Sequence, residues 1–333
     1  ALVIGVYQIF HASINLVTYV LYRKNKIRPR FRLLLDGLVL VFLGGTSLLS
    51  STGNSVFQLF VLGAYFFLYG VSNIRDGFLF EEEIGKNHLK RRVRMSLPIV
   101  LAALIPARTL AKINKFMQEN ADEREDIHLG MVKSGKTAEL EIFVHTAETS
   151  LFSAIGHVDI CYQGRVISYG NYDPSSETLF GMVGDGVLYF CDRDKYIDLC
   201  KRESQKTLFG YGIDLTPEME KAVQKKLAEL KQLTIPWEPS ADKIMTGDGK
   251  EDYTYAYKIR HETDGELYKF IKSKFKSYFV LSTNCVLLAD TIVGQAGTDI
   301  LSPKGFIAPG TYQAYLNREF EKPNSIVVSK HVY

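Results

Sequence analysis

The chain has 333 residues, 40 Lys and Arg against 37 Asp and Glu, and a formal charge of +3. That near balance excludes the broad basic surface on which nucleic-acid binding depends. Its four cysteines have no regular spacing, which excludes a zinc site and a disulfide framework.

In chain order, residues 1–111 read as about four transmembrane helices. Residues 1–22 and 56–72 are uncharged, and 33–50 hold one acid and no base. Each is close to the ~20 residues that cross hydrocarbon, where backbone must be helical. Residues 95–111 are a weaker fourth span, interrupted by Pro98, Pro106 and Arg108. The run at Ala1 has no basic segment before it and does not read as a signal peptide. Residues 23–32 hold six bases and no acid; 74–94 hold six bases, partly offset by Asp76 and Glu81–Glu83. Positive loops stay cytoplasmic. With 95–111 spanning, the rest of the chain is extracytoplasmic; with 95–111 lying along the interface, it is cytoplasmic. The expectation is a multi-pass protein of the bacterial cytoplasmic membrane with its C-terminal domain outside.

Residues 33–72 carry Gly44-Gly45, a short Ser/Thr/Gly/Asn turn, Gly63 and Tyr69-Gly70. In this they resemble the HdeD-like small membrane proteins. Small residues also let helices approach closely, and packing accounts for these glycines equally well. His11, Asn15 and Asp36 are polar groups in or near spans, and no chemistry is assigned to them. Residues 112–126 form an amphipathic connector, first basic and then acidic.

Residues 127–333 read as an α+β domain with an antiparallel sheet. Residues 139–145 alternate apolar and polar, as a half-buried strand does. Residues 156–162 and 165–169 flank Gln163-Gly164 as a hairpin. Residues 186–191 are a further strand. Thr216-Pro217-Glu218 starts a helix, with cap, proline and first-turn acid in order, and 236–239 close it. Residues 240–251 read as a loop, 266–276 as a Lys-rich helix or turn, and His331 as part of a frayed terminus.

The chemistry centres on Cys285. Ser282-Thr283-Asn284 precede it and an apolar helix follows, which puts the thiol at a helix N-terminus. Macrodipole and free N–H groups there stabilise a thiolate and an oxyanion. The nucleophile needs a base. His157 opens a strand after small residues and is the best candidate. His145 ends a strand, and His128 and His261 lie in charged segments. Cys161, Cys191 and Cys200 read as structural, with Cys191–Cys200 the pair open to a disulfide.

Gly156-His157, then Tyr169-Gly170-Asn171-Tyr172-Asp173, then Thr283-Asn284-Cys285 resemble the circularly permuted papain-like enzymes, the group of NlpC and lecithin:retinol acyltransferase. The pattern is most similar to the Lnb-type N-terminal periplasmic domain family and spans about residues 139–312. The resemblance implies a Cys285–His157 pair with no cofactor or metal, supported by Asn284 and by Tyr169, Asn171 or Asp173. Many such relatives carry a second His on the next strand, where this chain has Ser168. The group that orients His157 is therefore open among Tyr169, Asn171 and Asp173, and hairpin register decides it.

The expected function is acyl transfer through a thioester at Cys285, onto a membrane lipid or lipoprotein. The alternatives are an NlpC-type cell-wall amidase or peptidase and a non-catalytic membrane scaffold. No nucleic-acid partner is expected.

Overall fold

The computed structural model describes residues 2–49, 60, 63, 131–133, 138–145, 156–204, 208–245, 249, 251–294, 309–323 and 325–333. The chain divides into two compact units, Ala1–His88 and Leu89–Tyr333.

The first unit contains α1 (Leu2–Lys24) and α2 (Phe31–Leu49). The expectation of about four membrane-crossing helices is corrected here. Among the described residues one helix is long and apolar enough to cross a membrane, Phe31–Leu49. Helix α1 has the length, but Gln8, His11, Ser13, Asn15 and Thr18 dilute its hydropathy. Gln8 and Thr18 are buried, and Ser47 of α2 donates to Gln8 Oε1 at 3.3 Å. The expected spans at 56–72 and 95–111 lie outside the described residues apart from Phe60 and Gly63. Close packing explains Gly44: a Cβ there would stand 2.8 Å from Ile9 and 3.1 Å from the Gly5 carbonyl.

The second unit is built on a nine-stranded sheet in the order β1-β13-β7-β2-β3-β4-β6-β11-β8, with every neighbouring pair antiparallel. The strands are β1 (Met131–Val132), β2 (Leu140–His145), β3 (His157–Tyr162), β4 (Arg165–Gly170), β6 (Val187–Asp192), β7 (Leu208–Ile213), β8 (Thr234–Pro236), β11 (Glu266–Phe270) and β13 (Val327–Val332). The short strands β5 (Val183–Asp185) and β12 (Ser277–Phe279) pair with each other, as do β9 (Lys243–Met245) and β10 (Glu251–Tyr253). The helices are α3 (Arg193–Ser204), α4 (Pro217–Lys231), α5 (Tyr255–Glu262), α6 (Cys285–Val293) and α7 (Pro309–Glu321).

Local chemistry explains several of these elements. Gln163 and Gly164 both have positive φ (50° and 72°), the requirement of a two-residue hairpin turn that matches strand twist. Thr216 accepts from Met219 N and Pro217 follows, which fixes the start of α4. Three readings change. Residues 266–270 form a strand because β6 and β8 offer ladders on both sides. The segment 240–251 contributes the ends of the β9–β10 pair. His331 lies in β13, which is held between β7 and β1.

The sheet is covered on both faces. One core holds Val144, Val158, Ile160, Tyr169, Leu188 and most of α6. The other holds Phe143, Cys161, Val166, Tyr189, Cys191 and Tyr196. The alternation of side chains along β3 and β4 sends neighbours to opposite faces.

Candidate functional site

The site is set by register. His145 of β2 stands directly opposite His157 of β3. Asp159, two residues on, shares their face, and Ser168 of β4 falls beside it by the β3–β4 pairing. Alternation thus gathers two imidazoles, a carboxylate and a hydroxyl at one end of the sheet.

The side chain of Asp159 is fully buried, while that of His157 is 25% exposed. The carboxylate serves both histidines. Oδ2 lies 2.7 Å from His145 Nε2 and accepts from the Tyr196 hydroxyl at 2.5 Å. Oδ1 lies 2.8 Å from His157 Nε2, but off the direction of a linear hydrogen bond, so that contact is Coulombic. The same Nε2 is 2.9 Å from Ser168 Oγ and 3.1 Å from the Tyr172 hydroxyl. Nδ1 has no hydrogen-bond partner among the described residues.

The charges follow this geometry. Burial works to lower the His157 pKa, but Asp159, Tyr172 and Cys285 outweigh it and hold the ring well above its ordinary value. Burial works to raise the Asp159 pKa, and His157 and His145 outweigh it and keep the carboxyl far below the usual range. The Tyr172 hydroxyl is pushed up to about 12, chiefly by burial.

Cys285 is the first residue of α6, and Asn284 caps the helix. Asn284 Oδ1 accepts from Leu287 N at 3.0 Å and Nδ2 donates to the Val280 carbonyl at 3.0 Å. The thiol is 4% exposed and packs in the core on the Val158 face. It is in electrostatic range of His157 and Tyr172, and it is the hydrogen-bond neighbour of Tyr278. Burial and this thiol hold the Tyr278 hydroxyl well above its ordinary pKa.

A cavity of about 430 Å³ opens at this end of the sheet, lined among others by His145, His157, Tyr172, Tyr196, Cys200 and Tyr278. Cys285 is not in its wall. Tyr278 lines the cavity and neighbours the thiol.

The lip of the cavity is a tight turn before β5. Thr178 and Val183 close it with backbone hydrogen bonds of 2.8 and 3.2 Å. Leu179, Phe180 and Gly181 are consecutively left-handed, at φ 50°, 58° and 80°. For Leu and Phe that conformation costs roughly 1–2 kcal/mol each.

The other expected residues are engaged elsewhere. The Tyr169 hydroxyl donates to the Phe275 carbonyl, and its ring packs against Phe270, Phe275 and Tyr278. Asn171 donates to the Gly181 carbonyl at 3.4 Å. Asp173 accepts from Ser175 N and Oγ and pairs with Lys269. The groups against His157 are Asp159, Ser168 and Tyr172. None of the four cysteines is in a disulfide. Among the described residues no group of three or more His, Cys, Asp or Glu is arranged to hold a metal ion.

No family model, curated protein or solved structure matches this chain.

In sequence, Asp159 has no assigned role and His145 is only the end of a strand. The usable signal was distance along the strand: residues i and i+2 share a face, so His157 and Asp159 had to be neighbours.

Proposed function

We propose that the second unit is a thiol-dependent acyl-transfer enzyme with Cys285 as nucleophile and His157 as base. The observation that carries this reading is the buried Asp159 carboxylate against His157 Nε2. A buried carboxylate favours the imidazolium, the counter-charge a neighbouring thiolate requires.

In the proposed step the Cys285 thiolate, whose proton His157 already holds as the imidazolium, forms a bond to the carbonyl carbon of an ester or amide. The tetrahedral intermediate collapses, the C–O or C–N bond breaks, and the leaving group takes the proton from His157. The thioester is then attacked by an acceptor hydroxyl, amine or water, whose proton returns to His157 as the thiolate leaves. N–H groups of the first turn of α6 face the developing oxyanion. Asp159, Ser168 and Tyr172 keep the ring in place. The order of the Gly-His, Tyr-Gly and Asn-Cys motifs, resembling the permuted papain-like group, supports the same assignment. The apolar helix Phe31–Leu49 in the same chain supports a lipid or lipoprotein substrate.

One observation favours the scaffold reading instead: Cys285 is 4% exposed and is not part of the cavity wall. Labelling of the detergent-solubilised chain with a lipid-tailed activated ester, read by intact mass, separates the two. Acyl transfer requires labelling of the wild type and its loss in Cys285→Ser and His157→Ala. An unlabelled wild type, or equal labelling of all three, removes the enzyme reading.

A further inference from the structure

We propose that the turn carrying Leu179 and Phe180 is a lipid-inserting tip that seats the mouth of the His157 cavity on a bilayer surface. Phe180 is 91% exposed and Leu179 is 48% exposed. Soluble surfaces hold single apolar residues without consequence, but this pair is held out by a built device. Three successive left-handed residues turn the chain, the Thr178–Val183 bridge locks the base, and Met182 N donates to the Leu179 carbonyl at 3.2 Å. A strained backbone that projects a phenyl ring into water has no packing return among the described residues.

The surroundings of the tip fit lipid. Residues 178–183 and the paired segment 279–283 contain no charged residue. Val280 N donates to the Met182 carbonyl at 3.0 Å, which joins the two segments into one apolar platform. Three residues before Phe279, at most about 10 Å away at the rise of a strand, Lys276 is exposed in the turn that precedes β12, and Lys272 is exposed beyond it. Neither makes an ion pair among the described residues. An apolar end with bases about 10 Å behind it matches the acyl boundary and the anionic headgroups of a bilayer. Glu177 is the acid next to the tip, and partial desolvation with the nearby Asp173 raises its pKa, which eases its approach to a surface. Gly181 and Met182 belong to the turn and to the cavity wall together with His157. A seated tip therefore brings the cavity mouth to the lipid. This last consequence rests on the acyl-transfer reading; the seating itself does not.

The test uses the full chain in vesicles. The chain has a single tryptophan, Trp237, so Phe180→Trp is made in a Trp237→Phe background. The protein is reconstituted into mixed phosphatidylcholine and phosphatidylglycerol with plain or brominated acyl chains. Bromine is expected to cut the emission of the introduced indole at least twofold. Leu179→Trp is expected to behave alike and covers failure of the first variant to fold. Met245→Trp, 66% exposed in β9, is the control and is expected to stay unquenched. Quenching at the tip that persists in Cys285→Ser supports seating whatever becomes of the enzyme reading. Absence of quenching at both tip positions, or equal quenching at Met245, overturns it. Quenching produced by an added soluble protein rather than by bilayer depth also overturns it, in favour of a protein partner.

Discussion

Asp159 bears the largest electrostatic load at the site, because one buried carboxylate faces two imidazoles and a tyrosine hydroxyl. Asp159→Asn keeps the shape and removes the charge. Breaking a buried pair costs about 3–5 kcal/mol, and the isosteric amide is expected near the lower end. The pH dependence has a defined sign. The folded pKa of Asp159 is lowered, so its contribution is present above the unfolded value near 4 and lost as pH falls toward the folded one. The folded pKa of His157 is raised, so its contribution is full below about 6.5 and lost as pH rises through the folded value. Wild-type stability from this pair should therefore peak between about pH 4 and 6.5 and decline above it. Urea unfolding at a series of pH values should show that decline in the wild type and a flatter profile in Asp159→Asn. A second residue-scale expectation is that Tyr278, which lines the cavity and neighbours the thiol, closes the thiol off from it. Tyr278→Ala should speed alkylation of Cys285 by iodoacetamide at least tenfold, read by intact mass, while Tyr278→Phe leaves the plug in place. An unchanged rate in the alanine variant would mean that some other group closes the thiol.

At the scale of elements, the sequence was most readable where backbone rules are local. The Gln163-Gly164 hairpin, the Thr216-Pro217 helix start and the Asn284 cap before Cys285 each need only a few neighbouring residues, and each is where local chemistry puts it. Pairing between distant strands was not readable. Residues 266–276 have the lysines of a surface helix, yet two open ladders make 266–270 β11. The neighbours of His157 on other strands were unreadable for the same reason, since Ser168 and His145 meet it only through register. The turn between β5 and β6 shows how tightly such distant segments meet. A Cβ on Gly186 would stand 1.9 Å from the Phe275 carbonyl oxygen and 2.8 Å from Tyr169 Cε2. The backbone oxygen cannot yield without breaking the bond from Gly186 N to the Lys276 carbonyl. Gly186→Ala should therefore cost about 2–4 kcal/mol, within the range of severe overpacking, and should loosen the β5–β12 pair that carries Tyr278. Thermal unfolding measures the first, and faster Cys285 alkylation at unchanged temperature reports the second.

For the whole molecule, local apolar runs misled at one end of the chain and nearness to the terminus at the other. Apolar runs at the start of the chain suggested several spans, but a run also counts as helix-pair packing when polar side chains such as Gln8 face a partner helix. At the other end, the C-terminal residues looked like a fray and instead close the sheet. Strand β13 lies between β1 and β7, Val327 and Val328 are fully buried, and Tyr333 exchanges backbone hydrogen bonds with Leu208 at 2.9 and 3.3 Å. The Tyr333 ring also stacks under the Arg193 guanidinium, and its hydroxyl donates to Glu141 at 2.9 Å. Burial of two valines contributes roughly 1.5–3 kcal/mol each, a large share of the 5–15 kcal/mol that holds a domain together. Deletion of residues 327–333 would also expose the β7 edge as a template for other chains. The shortened chain should aggregate on size exclusion. Tyr333→Phe, which removes one partner of the half-buried Arg193–Glu141 pair and keeps the strand, should stay monodisperse and lose about 1 kcal/mol in urea unfolding. A deletion variant that remained folded would show that β7 can end the sheet, and that the site at β2–β4 owes nothing to the strands beyond it.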